Sequence, residues 1–242
     1  MTRRTRRSRC CLSLGPLAGI NWREVGLAYQ TFLSDAGVGI RHILRAQRHS
    51  RWQGWVNRRL TNQAVHLAGR TIAIDLTALS QLPAESLGGS YARHMLRVGL
   101  DPKAFLFPED DWLDQRMAIG HDIFHVIAGF DAHPLGEFGV AAFTLVQYWD
   151  FLNVFVLSFV PLSLTNPRWT GPLLRNLLRG LRMGKTCQPV IAYAVEDNWE
   201  KPLSLVRQEL GIASYFRNHT PTTRVGAARP KRHLPSASAP RF

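Results

Sequence analysis

The chain reads as an all-α protein on three observations. Apolar residues recur at helical spacing in segment after segment, Pro and Gly stand where helices begin and end, and strand-like alternation is nearly missing. At 242 residues, with 45% hydrophobic and 19% charged residues, the chain can bury a large core and is not a wholly disordered polypeptide. The formal charge of +13 suggests nucleic acid at first sight. Residues 1–20 hold five Arg and residues 214–242 hold six Lys or Arg, with no acid in either stretch, which leaves 19 basic against 17 acidic residues between them. A near-neutral body argues against a surface that tracks a duplex, so nucleic acid is not an expected partner.

Taken in order, residues 1–20 form a basic leader expected to be disordered. The apolar stretch Cys10 to Ile20 imitates a secretory signal, but no small-x-small cleavage pattern closes it. An organelle transit peptide and a bacterial tail touching anionic lipid both fit. Residues 21–213 are expected to make a single α-helical domain. Its first part, Trp22 to Ala68, is basic, Trp-containing and helical, and Thr71 to Leu76 is a brief alternating stretch. After Pro83, Leu87, Tyr91 and Met95 recur every four residues up to Gly99, which predicts an amphipathic helix. After Pro108, Glu109, Asp110 and Asp111 suit the positive end of a helix dipole, and this helix runs through Leu113 and Met117 to a stop near Gly129.

From Glu137 the chain is strongly apolar to Leu164. The 17 uncharged residues between Asp150 and Arg168 contain Pro161 and fall short of the roughly 20 that a bilayer crossing needs, so a buried or in-plane helix is expected. Arg175, Arg179 and Arg182 beside Leu174, Leu177, Leu178 and Leu181 predict a basic amphipathic helix suited to a phospholipid surface. Pro189 to Glu200 and Pro202 to Leu210 read as helices, the second closed by Gly211, and residues 214–242 read as a disordered basic tail. Cys10 and Cys11 are adjacent and Cys187 is distant, which gives neither a disulfide framework nor a metal knuckle. Cys187 reads as a small buried hydrophobe.

The string that carries chemistry is His121-Asp122-Ile123-Phe124-His125, followed by Gly129, Gly136 and Glu137. Two His four residues apart on a helix differ by about 40° in direction and about 6 Å in rise, so their ring nitrogens can meet on one ion. Met117 and Leu113 lie on the same face, which turns the pair toward the packed side of the helix. Glu137, beyond a Gly- and Pro-containing loop, is placed to return from the start of the next helix with a third, oxygen ligand. Two His and one carboxylate leave coordination positions open, the mark of a catalytic divalent metal. Asp122 is a fourth metal ligand, an acceptor that orients an imidazole, or a catalytic acid/base group. An HExxH peptidase is disfavoured because Asp replaces the Glu. Asp131 and His133 in the intervening loop are two further candidate ligands.

At these residues the sequence resembles the fourth coenzyme Q (ubiquinone) biosynthesis protein family, whose signature is His-Asp-x-x-His, eleven residues, then Glu, with Gly after the second His and just before the Glu. His121, Asp122, His125, Gly129, Gly136 and Glu137 match it in register. The likeness spans about residues 80–212, through Leu82 to Gly88 with Tyr91 and Met95, Trp199 to Leu203, and Arg207 to Gly211. The loop departs from the family at Phe130 to Pro134, and residues 1–79 carry no family signal. The resemblance implies an α-helical peripheral membrane protein, on a bacterial cytoplasmic face or on the matrix side of the mitochondrial inner membrane. It further implies a divalent ion, a polyprenylated hydroxybenzoate as substrate, removal of its carboxyl group, and assembly with other ubiquinone-biosynthesis proteins. Zinc is the expected ion, and iron the alternative if the reaction is oxidative; a homodimer is the default oligomer. Two rivals stand beside this reading. One is a non-catalytic isoprenoid-lipid scaffold. The other is an HD-type phosphohydrolase built on His121-Asp122, which needs an upstream ligand such as His94 and leaves Glu137 without a role.

Overall fold

The computed structural model describes residues 15–216, and among them there are α-helices and short 3-10 turns but no β-strand. The expected disorder of residues 1–14 and 217–242 lies outside the described residues. Residues 15–20, assigned to the leader by sequence, are structured. Gly15–Leu17 is a 3-10 turn and Ile20 is buried. At the other end, Ala213–Phe216 forms a final 3-10 turn.

The helices are α1 (Trp22–Thr31), α2 (Ala36–Gln47), α3 (Arg51–Gln63), α4 (Leu76–Ser80), α5 (Leu87–Val98), α6 (Trp112–Ala128), α7 (Pro134–Tyr148), α8 (Phe151–Leu157), α9 (Val160–Ser163), α10 (Pro167–Thr186) and α11 (Leu203–Glu209). Their starts follow the local chemistry. Asn21, Asp35, Ser50, Asp75, Ser86, Asp111, Asp150 and Asn166 are N-caps whose side chains accept from the first-turn amides. The helix expected to begin right after Pro108 begins at Trp112, because Asp111 caps it and Asp110 accepts from the Phe107 amide in the preceding turn.

Two expected elements come out differently. Pro189 to Glu200 holds 3-10 turns at Val190–Ala192 and Val195–Asp197, not an α-helix. The buried Arg116 guanidinium donates to the carbonyls of Ile191 and Tyr193 and to Glu196, taking up oxygens that an α-helical ladder would need. The apolar run after Asp150 is broken into α8 and α9, with Pro161 in the first turn of α9, the one part of a helix that tolerates it.

The two flanks of the signature region pair with each other. Leu87 N–H donates to Lys201 O, Gly88 N–H to Trp199 O and Leu203 N–H to Glu85 O, so Leu82 to Gly88 and Trp199 to Leu203 form one clamp. A side chain at Gly88 would come within 3.0 Å of Trp199 O. The buried residues fall into two apolar clusters. One gathers α3, α5, α6 and the C-terminal elements around Tyr91, Ile123, Phe124 and Phe143; the other joins α1, α2, α8 and the start of α10 around Ile43, Phe155 and Leu173. Between them lies a cavity of about 760 Å³.

Candidate metal centre

Helix α6 is fixed at both ends, which sets where its histidines sit. Asp111 Oδ1 accepts from Leu113 and Asp114 N–H, and Gly129 ends the helix at φ 65° with its N–H on His125 O. The Arg207 guanidinium donates to Val126 O and Ile127 O at 2.9 Å each, so the last carbonyls of α6 are also satisfied. The loop then folds back so tightly that a Cβ on Gly136 would lie 2.0 Å from Asp131 O. This explains the Gly just before Glu137. Pro134 opens α7, and Glu137 falls in its first turn.

These constraints bring three side chains together. His121 Nε2 and His125 Nε2 are 3.3 Å apart, and they lie 3.4 Å from Glu137 Oε2 and 3.3 Å from Glu137 Oε1 respectively. One donor atom from each residue falls within 4.8 Å of the others. His125 Nδ1 faces Phe130 O at 3.4 Å, an arrangement in which Nδ1 carries the proton and the Nε2 lone pair faces the cluster. The His125 side chain is 2% exposed, while His121 and Glu137 retain 39% and 40%. His121 and Glu137 line the cavity while His125 lies behind them.

The electrostatics favour a positive charge at the centre. Burial alone would raise the Glu137 carboxyl, but hydrogen bonds and charge from His121 and His125 outweigh it and hold it well below the usual carboxylate range. Burial alone would lower the His121 imidazole, yet the hydrogen bond and charge of Glu137, with smaller help from Asp122 and Asp150, leave it above its ordinary value. Two facing imidazole nitrogens and a carboxylate can share a proton or a cation. Their donor types and spacing suit a divalent ion.

The remaining sequence candidates lie elsewhere. Asp122 also lines the cavity but is not one of the three converging groups, so the structure does not bring it in as a fourth ligand. Burial raises its carboxyl, partly offset by His121 and His125. Asp131 and His133 are exposed in the loop, where Asp131 accepts from the His133 N–H. Sequence reasoning missed the position of His94. Its ring stacks on His125 with centroids 5.4 Å apart and planes at 21°, presenting a ring face where an HD-type site needs a nitrogen lone pair. Cys187 is buried, as expected, and burial pushes its thiol up to about 12.

The model of the coenzyme Q (ubiquinone) biosynthesis protein Coq4 family matches residues 59–215, with the three converging groups inside the match. The chain belongs to this family. It is 30% identical over 146 residues to the mitochondrial ubiquinone biosynthesis protein COQ4 homolog of Mus musculus, covering 58% of this chain and 55% of that one. It is 25% identical over 161 residues to the mitochondrial COQ4 protein of Komagataella phaffii, covering 64% and 52%. The chain thus spans about half the length of these curated relatives. A crystal structure from Nostoc punctiforme, of a protein named for ubiquinone biosynthesis, superposes with a TM-score of 0.68 at 28% identity over 80% of this chain and 99% of that one. The family match begins within α3, so α2 and the preceding Phe32 and Leu33, which line part of the cavity, lie before it.

Proposed function

We propose that the chain is a metal-dependent enzyme of ubiquinone biosynthesis that removes the carboxyl group of a polyprenylated hydroxybenzoate at a membrane surface. One observation carries the reading: the three donors converge at the wall of an apolar cavity about 760 Å³ in volume, within the usual range for a small-molecule site. The donor set fits a divalent ion with open positions, zinc being expected and iron the alternative for an oxidative reaction. Such an ion supplies Lewis acidity toward the substrate's oxygens and lowers the proton affinity of its phenol.

The chain's own residues do the rest. His121, His125 and Glu137 hold the centre, and Phe130 O orients His125. Phe138, Ala141 and Val156 line the apolar part of the cavity, where a prenyl tail displaces water. Asp122, on the cavity wall beside the centre, delivers the proton to the ring carbon. That proton replaces the carboxyl, which leaves as CO₂ while the electron pair of the broken bond returns to the ring.

Among the described residues no helix is long and apolar enough to cross a membrane, so attachment is peripheral in this reading. Leu162, Leu164, Trp169, Leu174 and Leu178 are exposed on α9, α10 and their junction, next to Arg168 and Arg175. Leu162 and Trp169 also line the cavity, which connects the lipid-facing surface with the tail site. Other ubiquinone-biosynthesis proteins and a second copy of the chain are the proposed protein partners.

The test uses the full chain loaded with zinc or ferrous ion and a prenylated 4-hydroxybenzoate labelled in its carboxyl carbon. Labelled CO₂ is expected, with a loss of at least about a hundredfold in D122N, which retains the ion. Bound ion and bound ligand without any CO₂ would overturn the enzyme and leave a lipid-binding scaffold.

A further inference from the structure

One wall of the cavity has more hydrogen-bonding capacity than the protein uses. Gln47 at the end of α2, Gln53 in α3 and Tyr148 at the end of α7 are 4%, 6% and 4% exposed, and all three line the cavity. Gln47 Oε1, Gln53 Oε1 and the Tyr148 hydroxyl have no hydrogen-bond partner among the described residues. The Gln53 amide nitrogen donates to Asn57 Oδ1 at 2.7 Å, which fixes the amide and leaves its oxygen as the orphan. Asp150, 2% exposed, lines the same cavity, and both hydrogen bonds it receives from Asn153 fall on Oδ1. The turn between α7 and α8 places Tyr148 and Asp150 together through Trp149, held at φ 56° with its carbonyl accepting from the Trp52 indole at 2.6 Å. Buried polar groups without partners cost folding free energy, so their collection on one wall marks a place where a ligand completes the bonding.

We propose that Gln47, Gln53, Tyr148 and Asp150 form a head-group subsite that reads the hydroxyl groups of a phenolic ring. The subsite rests on the tailed aromatic substrate proposed above and adds the residues that select it. Three of the four groups are acceptors and one of those is a carboxylate, so hydroxyl donors satisfy the wall while a phosphate or carboxylate meets repulsion. Arg48 is the one Lys or Arg among the described residues lining the cavity, and it is committed to Asp110 at 2.6 Å. The anionic end of a substrate therefore points away from this wall. Gln47 and Gln53 precede residue 59, so selection draws on the part of the chain before the family match.

The experiment measures affinities of the full chain, stripped of metal by chelation, for geranyl catechol, its dimethyl ether and geranyl phosphate by calorimetry. Wild type is expected to prefer the catechol over the ether by at least about tenfold. Q47L/Q53L is expected to bring that ratio close to one, with affinity for the ether held or improved and thermal stability at or above wild type. Gln47→Met, which keeps length and removes only the amide, lowers the same ratio and serves if the double variant does not fold. An unchanged ratio in the variants overturns the subsite, as does tightest binding of geranyl phosphate indifferent to the substitutions. A chain that shows the ratio but, loaded with metal, releases no CO₂ loses the decarboxylation and keeps the subsite, whereas failure to bind all three probes overturns the subsite.

Discussion

At Glu137 and at His121 burial is the largest single influence on proton affinity, but the hydrogen bonds and charges around each outweigh it together and set the sign of the shift. Asp150 is the opposite case. Burial pushes its carboxyl up to about 6, against the partial relief of the Asn153 hydrogen bonds. The unfolded chain therefore releases this proton at lower pH than the folded chain, and stability falls as pH rises from about 4 to about 6 and stays lowered above. The penalty is at most about 3 kcal/mol. Asp150→Asn keeps an acceptor for Asn153, so its melting temperature is expected to exceed wild type by several degrees at pH 7.5, with the gap closing by pH 4. A gap independent of pH would contradict this. The three converging residues were legible in the sequence because each depends on local geometry: a helical repeat for His121 and His125, a helix start for Glu137. The stacking of His94 on His125 and the orphaned polar wall were not, since they depend on how α2, α3, α5 and α7 pack.

Helix α10 was expected from its Leu and Arg periodicity, and its contact with α7 explains a feature that the periodicity did not use. A Cβ on Gly180 would lie 2.3 Å from Gly139 O, and one on Gly184 would lie 2.7 Å from Phe143 O. The two helices approach backbone to backbone through these glycines, and Glu137 stands in the first turn of α7, just before Gly139. Gly180→Ala must push them apart, and by the usual cost of overpacking it is expected to lower stability by about 1–3 kcal/mol. Equilibrium denaturation checks this, and an unchanged or raised midpoint would contradict it. The helix starts after Pro83 and after Pro108 were legible to within a few residues from the prolines and the acidic run, while the caps that set them, Ser86 and Asp111, were not singled out. The 3-10 turns near Val190 and Val195 were not, because the partner that takes their carbonyls is Arg116, some 75 to 80 residues earlier in the chain.

The molecule as a whole sets a cavity between two apolar clusters, with the converging donors on its wall and exposed apolar and basic side chains near one mouth. The all-α class and the signature region were legible; the contribution of α2 and α3 to the cavity was not, because their lining residues form no motif and act through shape, and the family match, which begins at residue 59, reaches further upstream than the likeness read from residue 80. The surface formed by α9 and α10 is expected to bind vesicles containing anionic lipid. Its affinity should fall severalfold on replacing Trp169 and Leu178 with Ser, and fall again as salt is raised. Binding indifferent to both changes would place the membrane face elsewhere. The central claim, one divalent ion held by two imidazoles and a glutamate, is tested most directly by the metal content of the purified chain beside His125→Ala. The account predicts one tightly held ion per wild-type chain and none in the folded variant; equal metal in both, or none in either after incubation with zinc and with ferrous ion, would contradict it.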